Sequence, residues 1–182
     1  MNAFHLSHTE LAKVEPGSLI LIGPVGAQGE QCFAIAVHRA GNPLALRLVS
    51  FSADRSALRA VTTELSAQET ADRFVLSLGR NFTVEPNLFE QVRTDFRDDA
   101  ALRAGDLLLH DAKQLLVVVP AKDTPALVVD LAAGEVTELS AQSVAVFTHW
   151  SIFVTGVDGQ KTCVVDTKSH RHATAPQLRA AS

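Results

Sequence analysis

The feature that most constrains this chain is an approximate internal duplication. Pro16-Gly17-Ser18-Leu19-Ile20-Leu21 returns as Ala104-Gly105-Asp106-Leu107-Leu108-Leu109, and the apolar run Phe33–Val37 returns as Leu115–Val119. Each run leads through a polar stretch to a proline, Pro43 or Pro125, and then to a second apolar run, Leu44–Val49 or Leu127–Leu131. Thr63-Glu64-Leu65-Ser66-Ala67-Gln68 then recurs letter for letter as Thr137–Gln142. The separation shrinks from 88 residues (Gly17 to Gly105) through 82 (Phe33 to Leu115) to 74 (Thr63 to Thr137), but the order is kept. One such match between common residues is coincidence; four in one order point to a repeated supersecondary unit.

Each copy reads as a β-meander. A glycine releases the chain into a short apolar strand, and a loop, a second strand, a proline-containing turn and a third strand follow. Val117, Val118, Val119, Val128 and Val129 enrich the second copy in β-branched residues, which suit a pleated, buried surface. The expected fold is therefore mainly β with a few short helices, in two pseudo-repeated small barrel-like or meander units. Residues 1–86 form the first unit, residues 87–167 a linker helix and the second unit, and residues 168–182 a polar, disordered tail.

Helices are expected at the joints. Ser7-His8-Thr9-Glu10 and Asn87-Leu88-Phe89-Glu90 both place a capping residue three before a glutamate. Phe89, Val92, Phe96 and Ala100 continue the second as one helical face. A third helix, near 66–79, starts at Ser66 with Glu69 at its third position; Ala67, Ala71, Phe74, Val75 and Leu78 form its stripe and Gly79 closes it. In the second copy Ser143–Phe147 reads as a strand instead, and Ile152–Val165 as a hairpin turning at Asp158-Gly159.

Composition narrows the function. The net charge of −4 and the absence of a Lys/Arg cluster leave no basic face for nucleic acid, and with no Tyr and one Trp there is no aromatic platform for bases. No apolar run is long enough to span a bilayer as a helix. Met1–Val14 carries His5, His8, Glu10 and Lys13 where a secretion signal needs apolar residues, so the expected location is cytoplasmic. Cys32 and Cys163 lie far apart in apolar stretches, as buried thiols of a reducing compartment do.

The most motif-like segment is Gly23-Pro24-Val25-Gly26-Ala27-Gln28-Gly29, directly after the apolar run Leu19–Ile22. Gly23, Gly26 and Gly29 in this setting resemble the phosphate-binding turn of extended and atypical short-chain dehydrogenase-like proteins. The resemblance covers Leu19–Val84 and implies a Rossmann-like α/β N-terminal half that binds an NADP-type nucleotide, with Arg47 and Arg55 near the 2′-phosphate. It requires a helix over Glu30–His38 and carries no catalytic tyrosine, since the chain has no Tyr. A glycine-rich hairpin loop accounts for the same residues without a ligand and agrees with the strand character of Leu115–Pro120.

Other candidates are thinner. His5 with His8, and His170 with His172, are the close histidine pairs, without a Cys or carboxylate at ligand spacing, so no metal site is assigned. A hairpin that carries Cys163 toward His149 makes a thiol and base pair, although Thr162-Cys163-Val164-Val165 reads as a buried strand. His110 and Asp111 point to opposite faces if their strand continues. With no catalytic residues or cofactor assigned, the expectation is a non-catalytic binding or assembly module. The uncharged run Leu115–Val119 is expected to form an unprotected edge and to favour a homodimer.

Overall fold

The computed structural model describes residues 4–23, 32–39, 42–53, 58–70, 73–89, 92–93, 102–119, 126–140 and 144–167. They are mostly strands. A first block runs β1 (Ser7–Glu10), β2 (Leu19–Ile22), β3 (Cys32–Arg39), β4 (Asn42–Ala53), β5 (Leu58–Glu64), the helical turn α1 (Ala67–Thr70), β6 (Phe74–Gly79) and β7 (Phe82–Pro86). A second runs β8 (Val92–Arg93), β9 (Leu107–His110), β10 (Lys113–Val119), β11 (Leu127–Asp130), β12 (Glu135–Glu138), β13 (Ala145–Phe147), β14 (Trp150–Thr155) and β15 (Lys161–Asp166).

Antiparallel pairing orders the first block β1-β6-β2-β3-β4-β5 and the second β8-β13-β9-β10-β11-β12. A short parallel contact, His38 opposite Glu135 and Arg39 opposite Val136, joins the two into one sheet. A separate sheet, β15-β14-β7, draws one strand from the first block and two from the second.

Gly17 and Gly105, at φ of 77° and 100°, turn the chain into β2 and β9. Only a residue without a Cβ takes that conformation without strain. The Gly17 N–H donates to the Ala36 carbonyl (2.7 Å) and the Ala36 N–H to the Ser18 carbonyl (3.0 Å). In the second block Gly105 donates to Val117 (2.8 Å) and Val117 to Asp106 (2.9 Å).

Successive strand residues face opposite sides, so a strand buried on both faces is apolar throughout. Leu19, Ile20 and Leu21 illustrate this. Ile20 packs with Ala34, Ala36, Leu48 and Val75 inside the first block, and Leu108 packs with Leu115, Val117, Val128 and Val144 inside the second. Leu19 and Leu21 point the other way, into a larger shared core with Leu107, Leu116, Val84, Ile152 and Trp150. The three-stranded sheet covers that shared core.

The Rossmann-like alternative fails on this topology. Cys32–Arg39, which overlaps the helix Glu30–His38 that it needed, is a strand hydrogen-bonded to β2 and β4, and among the described residues the ladders are antiparallel except for the His38–Glu135 contact. Of the helix expected near 66–79 the described residues show only Ala67–Thr70, and Phe74–Gly79 is β6 instead, because its alternating residues Val75 and Ser77 are buried between β1 and β2. What survives is the cap: the Ser66 N–H donates to Glu69 Oε2 (2.9 Å) and the Glu69 N–H to Ser66 Oγ (3.2 Å), which holds the Glu69 carboxyl below its usual pKa.

Ser7–Glu10 is a strand followed by the 3₁₀ turn Leu11–Lys13, and no side chain caps that turn. After β7, Asn87 Oδ1 accepts from the Phe89 N–H (3.1 Å) in a tight turn, and Val92–Arg93 pairs with β13 rather than continuing a helix. Phe96, Ala100 and the tail 168–182 lie outside the described residues. Leu115–Val119 is no edge, since β10 sits between β9 and β11. The hairpin through Asp158-Gly159 forms as expected, with Gly159 at φ 76°. Among the described residues no helix is long and apolar enough to cross a membrane.

Candidate functional site

The two blocks wall a groove of about 570 Å³ between the side of β7 that has no partner strand among the described residues and the turns of the second block. Phe82, Thr83 and Val84 line it from β7, Leu109, Lys113 and Gln114 from β9 and β10, and Asp130–Ala133, Gly17 and Arg80 complete the lining. A smaller hollow of about 360 Å³ shares Arg80, Phe82 and Thr83 and extends past His5 to Gly156.

Local structure fixes the polar groups of this groove. β9 and β10 are joined by only Asp111 and Ala112, both at positive φ (47° and 62°), a tight two-residue hairpin turn that delivers Lys113 to the rim. Lys113 Nζ lies 3.2 Å from Asp130 Oδ2, with their side chains 61% and 12% exposed, so the carboxylate is a fixed wall and the ammonium a solvated one. Asp130 Oδ1 accepts from the Ala132 and Ala133 N–H groups (3.0 and 3.1 Å), shaping the turn into β12. Arg80 Nε donates to the Pro16 carbonyl (2.9 Å), which holds the guanidinium beside Gly17. Gln114 Nε2 donates across the groove to the Val84 carbonyl (2.8 Å).

The residues singled out by sequence are not brought together here. Gly23 is exposed just after β2, while Gly26, Gly29 and Arg55 lie outside the described residues and Arg47 sits within β4. His8 stacks on Phe74 with ring centroids 4.9 Å apart, and His170 and His172 lie outside the described residues. Among the described residues no three His, Cys, Asp or Glu side chains cluster as metal ligands do.

Cys163 pairs with Phe153, four residues along β14 from His149, a separation of about 13 Å at the rise of a strand. The thiol–base pair is therefore not assembled. His110 and Asp111 do meet, with Nε2 3.3 Å from Oδ2, because the strand ends at His110 and Asp111 enters the turn; the pair is solvent-facing, with the Asp111 side chain 85% exposed. Sequence reasoning missed Arg80, Gln114 and Asp130. The Asp130–Gly134 turn was the one available signal.

Burial pushes both thiols up, Cys32 by desolvation and Cys163 by desolvation and then by the Asp166 carboxylate. Because the folded pKa is raised, the stabilising effect of the neutral thiol is complete below the ordinary thiol pKa and is lost as pH rises through the raised one. Alkylation by iodoacetamide at neutral pH is accordingly expected to be slow in the folded protein. Denaturant or alkaline pH should accelerate it, and rapid alkylation of Cys163 at pH 7 would contradict this environment.

No protein-family model, no curated protein and no solved structure matches the chain.

Proposed function

We propose that this protein is a non-catalytic binding or assembly module built from two copies of one β-meander, with the groove between them as its binding site. The duplication is supported by the correspondence of the two strand orders, by the glycine-led entries into β2 and β9, and by Leu65 and Leu139. These occupy the same place in the repeated hexamer, and their N–H groups donate to the Leu46 and Ala126 carbonyls (3.0 and 2.8 Å). The observation that carries the binding role is that both copies contribute to one groove, with the cations Arg80 and Lys113 on its rim above an apolar lining.

Affinity capture with the natural chain and with Ala133→Trp, which fills the mouth of the groove, tests this reading. A defined partner or ligand retained by the first and lost by the second is the expected result. A specific turnover abolished by changing one groove side chain overturns it.

Self-association belongs to the same reading. Among the described residues β1, β5, β7, β8 and β15 each pair on one side only, leaving ladder groups for a second chain. A two-fold dimer is expected, seen by sedimentation at micromolar concentration as twice the 19.5 kDa chain mass. A single 19.5 kDa species would remove the assembly role.

A further inference from the structure

The ladder between β7 and β14 is centred on Val84 opposite Ile152, and residues 82–86 pair with residues 154–150. Main-chain groups of a strand point alternately to its two sides. The main-chain groups of His149, just before β14, and of Thr155 at its end face β7: the Asn87 N–H donates to the His149 carbonyl (2.9 Å) and the Thr155 N–H to the Asn81 carbonyl (3.5 Å). Trp150 and Ile152 face β15 instead, and the Trp150 carbonyl accepts from the Thr167 N–H (3.1 Å). Antiparallel pairing carries the same alternation to β7. Phe82, Val84 and Pro86 therefore turn their main-chain groups away from β14, toward the groove.

β14 has a strand on each side, whereas β7 has a described neighbour only at β14. After β7 the chain leaves this sheet to form β8 beside β13. One group on the open edge is already engaged: the Val84 carbonyl accepts from the Gln114 side-chain amide, the same chemistry a peptide N–H would offer. Pro86 has no N–H to give, so the usable ladder is Phe82–Val84, consistent with the placement of proline at open edges.

We propose that this edge is a docking site for an extended, acidic peptide segment of a partner protein, which adds to β7 as β15 adds to β14. The proposal rests on the binding-module reading and gives its groove an occupant. Both hollows run along the edge and share Arg80, Phe82 and Thr83, so the space is elongated in the direction of the strand. Its charge selects an acidic segment. Arg80 and Lys113 bring two cations to the rim, against one carboxylate, Asp130, whose oxygens are engaged by two N–H groups and by Lys113 itself.

The test selects binders from a random heptapeptide display library on the full chain, then measures synthesised winners by fluorescence anisotropy. Acidic, β-prone sequences are expected to win. Methylating the backbone nitrogen that faces Val84 should weaken them at least tenfold, and Arg80→Gln with Lys113→Gln, checked for folding by Trp150 fluorescence, should weaken them several-fold and flatten their salt dependence. On binding, the Phe82 and Val84 amides should become protected from hydrogen exchange. Winners indifferent to N-methylation, winners that are basic, or protection appearing at β1 or β5 instead overturn the strand site while leaving a binding module. A second copy seated on β7 overturns the peptide as occupant. A library that yields no binder, together with failure of the Ala133→Trp capture experiment, removes both readings.

Discussion

Replacing Gly134 by alanine is expected to cost about 4 kcal/mol or more, enough to unfold many domains of this size. A Cβ built on Gly134 would lie 2.2 Å from the Gly17 nitrogen, 2.6 Å from the Pro16 carbonyl carbon and 2.8 Å from the Gly17 Cα. These are backbone atoms of the other block, and Gly17 is itself held by its hydrogen bond to Ala36, so neither side can yield cheaply. Gly134 also sits at φ 71°, with its N–H donating to the Asp130 carbonyl (2.8 Å) and its carbonyl accepting from the His38 N–H (2.9 Å). Gly159→Ala is the matched control. Its φ is 76°, but a Cβ there meets nothing within 4 Å, so only the conformational cost of about 1–2 kcal/mol applies. Urea unfolding followed by Trp150 fluorescence measures both, and equal costs would show that the close approach of the two blocks is absent in solution.

Trp150→Ala is expected to destabilise by about 3–5 kcal/mol, the range for emptying a large aromatic site in a core. The indole is 2% exposed, packs edge-on against Phe51 with centroids 5.8 Å apart, and donates from Nε1 to the Gly105 carbonyl (2.7 Å). It ties the three-stranded sheet to the glycine that opens β9. Trp150→Phe separates packing from hydrogen bonding: a ring remains, the Gly105 carbonyl loses its donor, and the expected cost is about 1–3 kcal/mol. Circular dichroism in urea gives both values, since the variants lack the chain's one tryptophan. A neutral Trp150→Phe would mean that Gly105 is satisfied by water instead.

Several features of the fold were legible because their causes are local. Asp158-Gly159 forms a turn wherever it is placed between two apolar runs, and Ser66 finds Glu69 within three residues, so the hairpin and the cap both formed as expected. The strand character of Cys32–Arg39 was readable only by comparison with Leu115–Val119. Phe74–Leu78 went wrong for a physical reason: a short apolar run satisfies a period of 3.6 and a period of 2 equally well. Burial of Val75 and Ser77 between β1 and β2 decided for the strand, and the strand reading of Ser143–Phe147 after the same hexamer was the available clue.

Register shows the same limit more finely. Alignment of the apolar runs places Phe33 opposite Leu115 and therefore Ile35 opposite Val117. If Leu19 corresponds to Leu107, the ladders instead make Ile35, paired with Leu19, the counterpart of Leu116, paired with Leu107. A slip of one residue exchanges the two faces of a strand. If that correspondence holds, Phe33 matches Gln114, the residue whose side-chain amide donates to the Val84 carbonyl.

The sequence by itself determined a β-rich chain, the two glycine-led entries at Gly17 and Gly105, the apolar runs that become β2, β3, β9 and β10, and the final hairpin. All of these follow from backbone freedom, side-chain branching and turn chemistry within a few residues. The tertiary structure alone decided which strands neighbour one another, that β10 is interior while β7 has one partner strand among the described residues, that Gly134 meets Gly17, and that Arg80, Gln114 and Asp130 converge on one groove. A strand's hydrogen-bonding groups are identical along its length and its partners lie tens of residues away, so pairing is selected by the joint burial of all the strands at once.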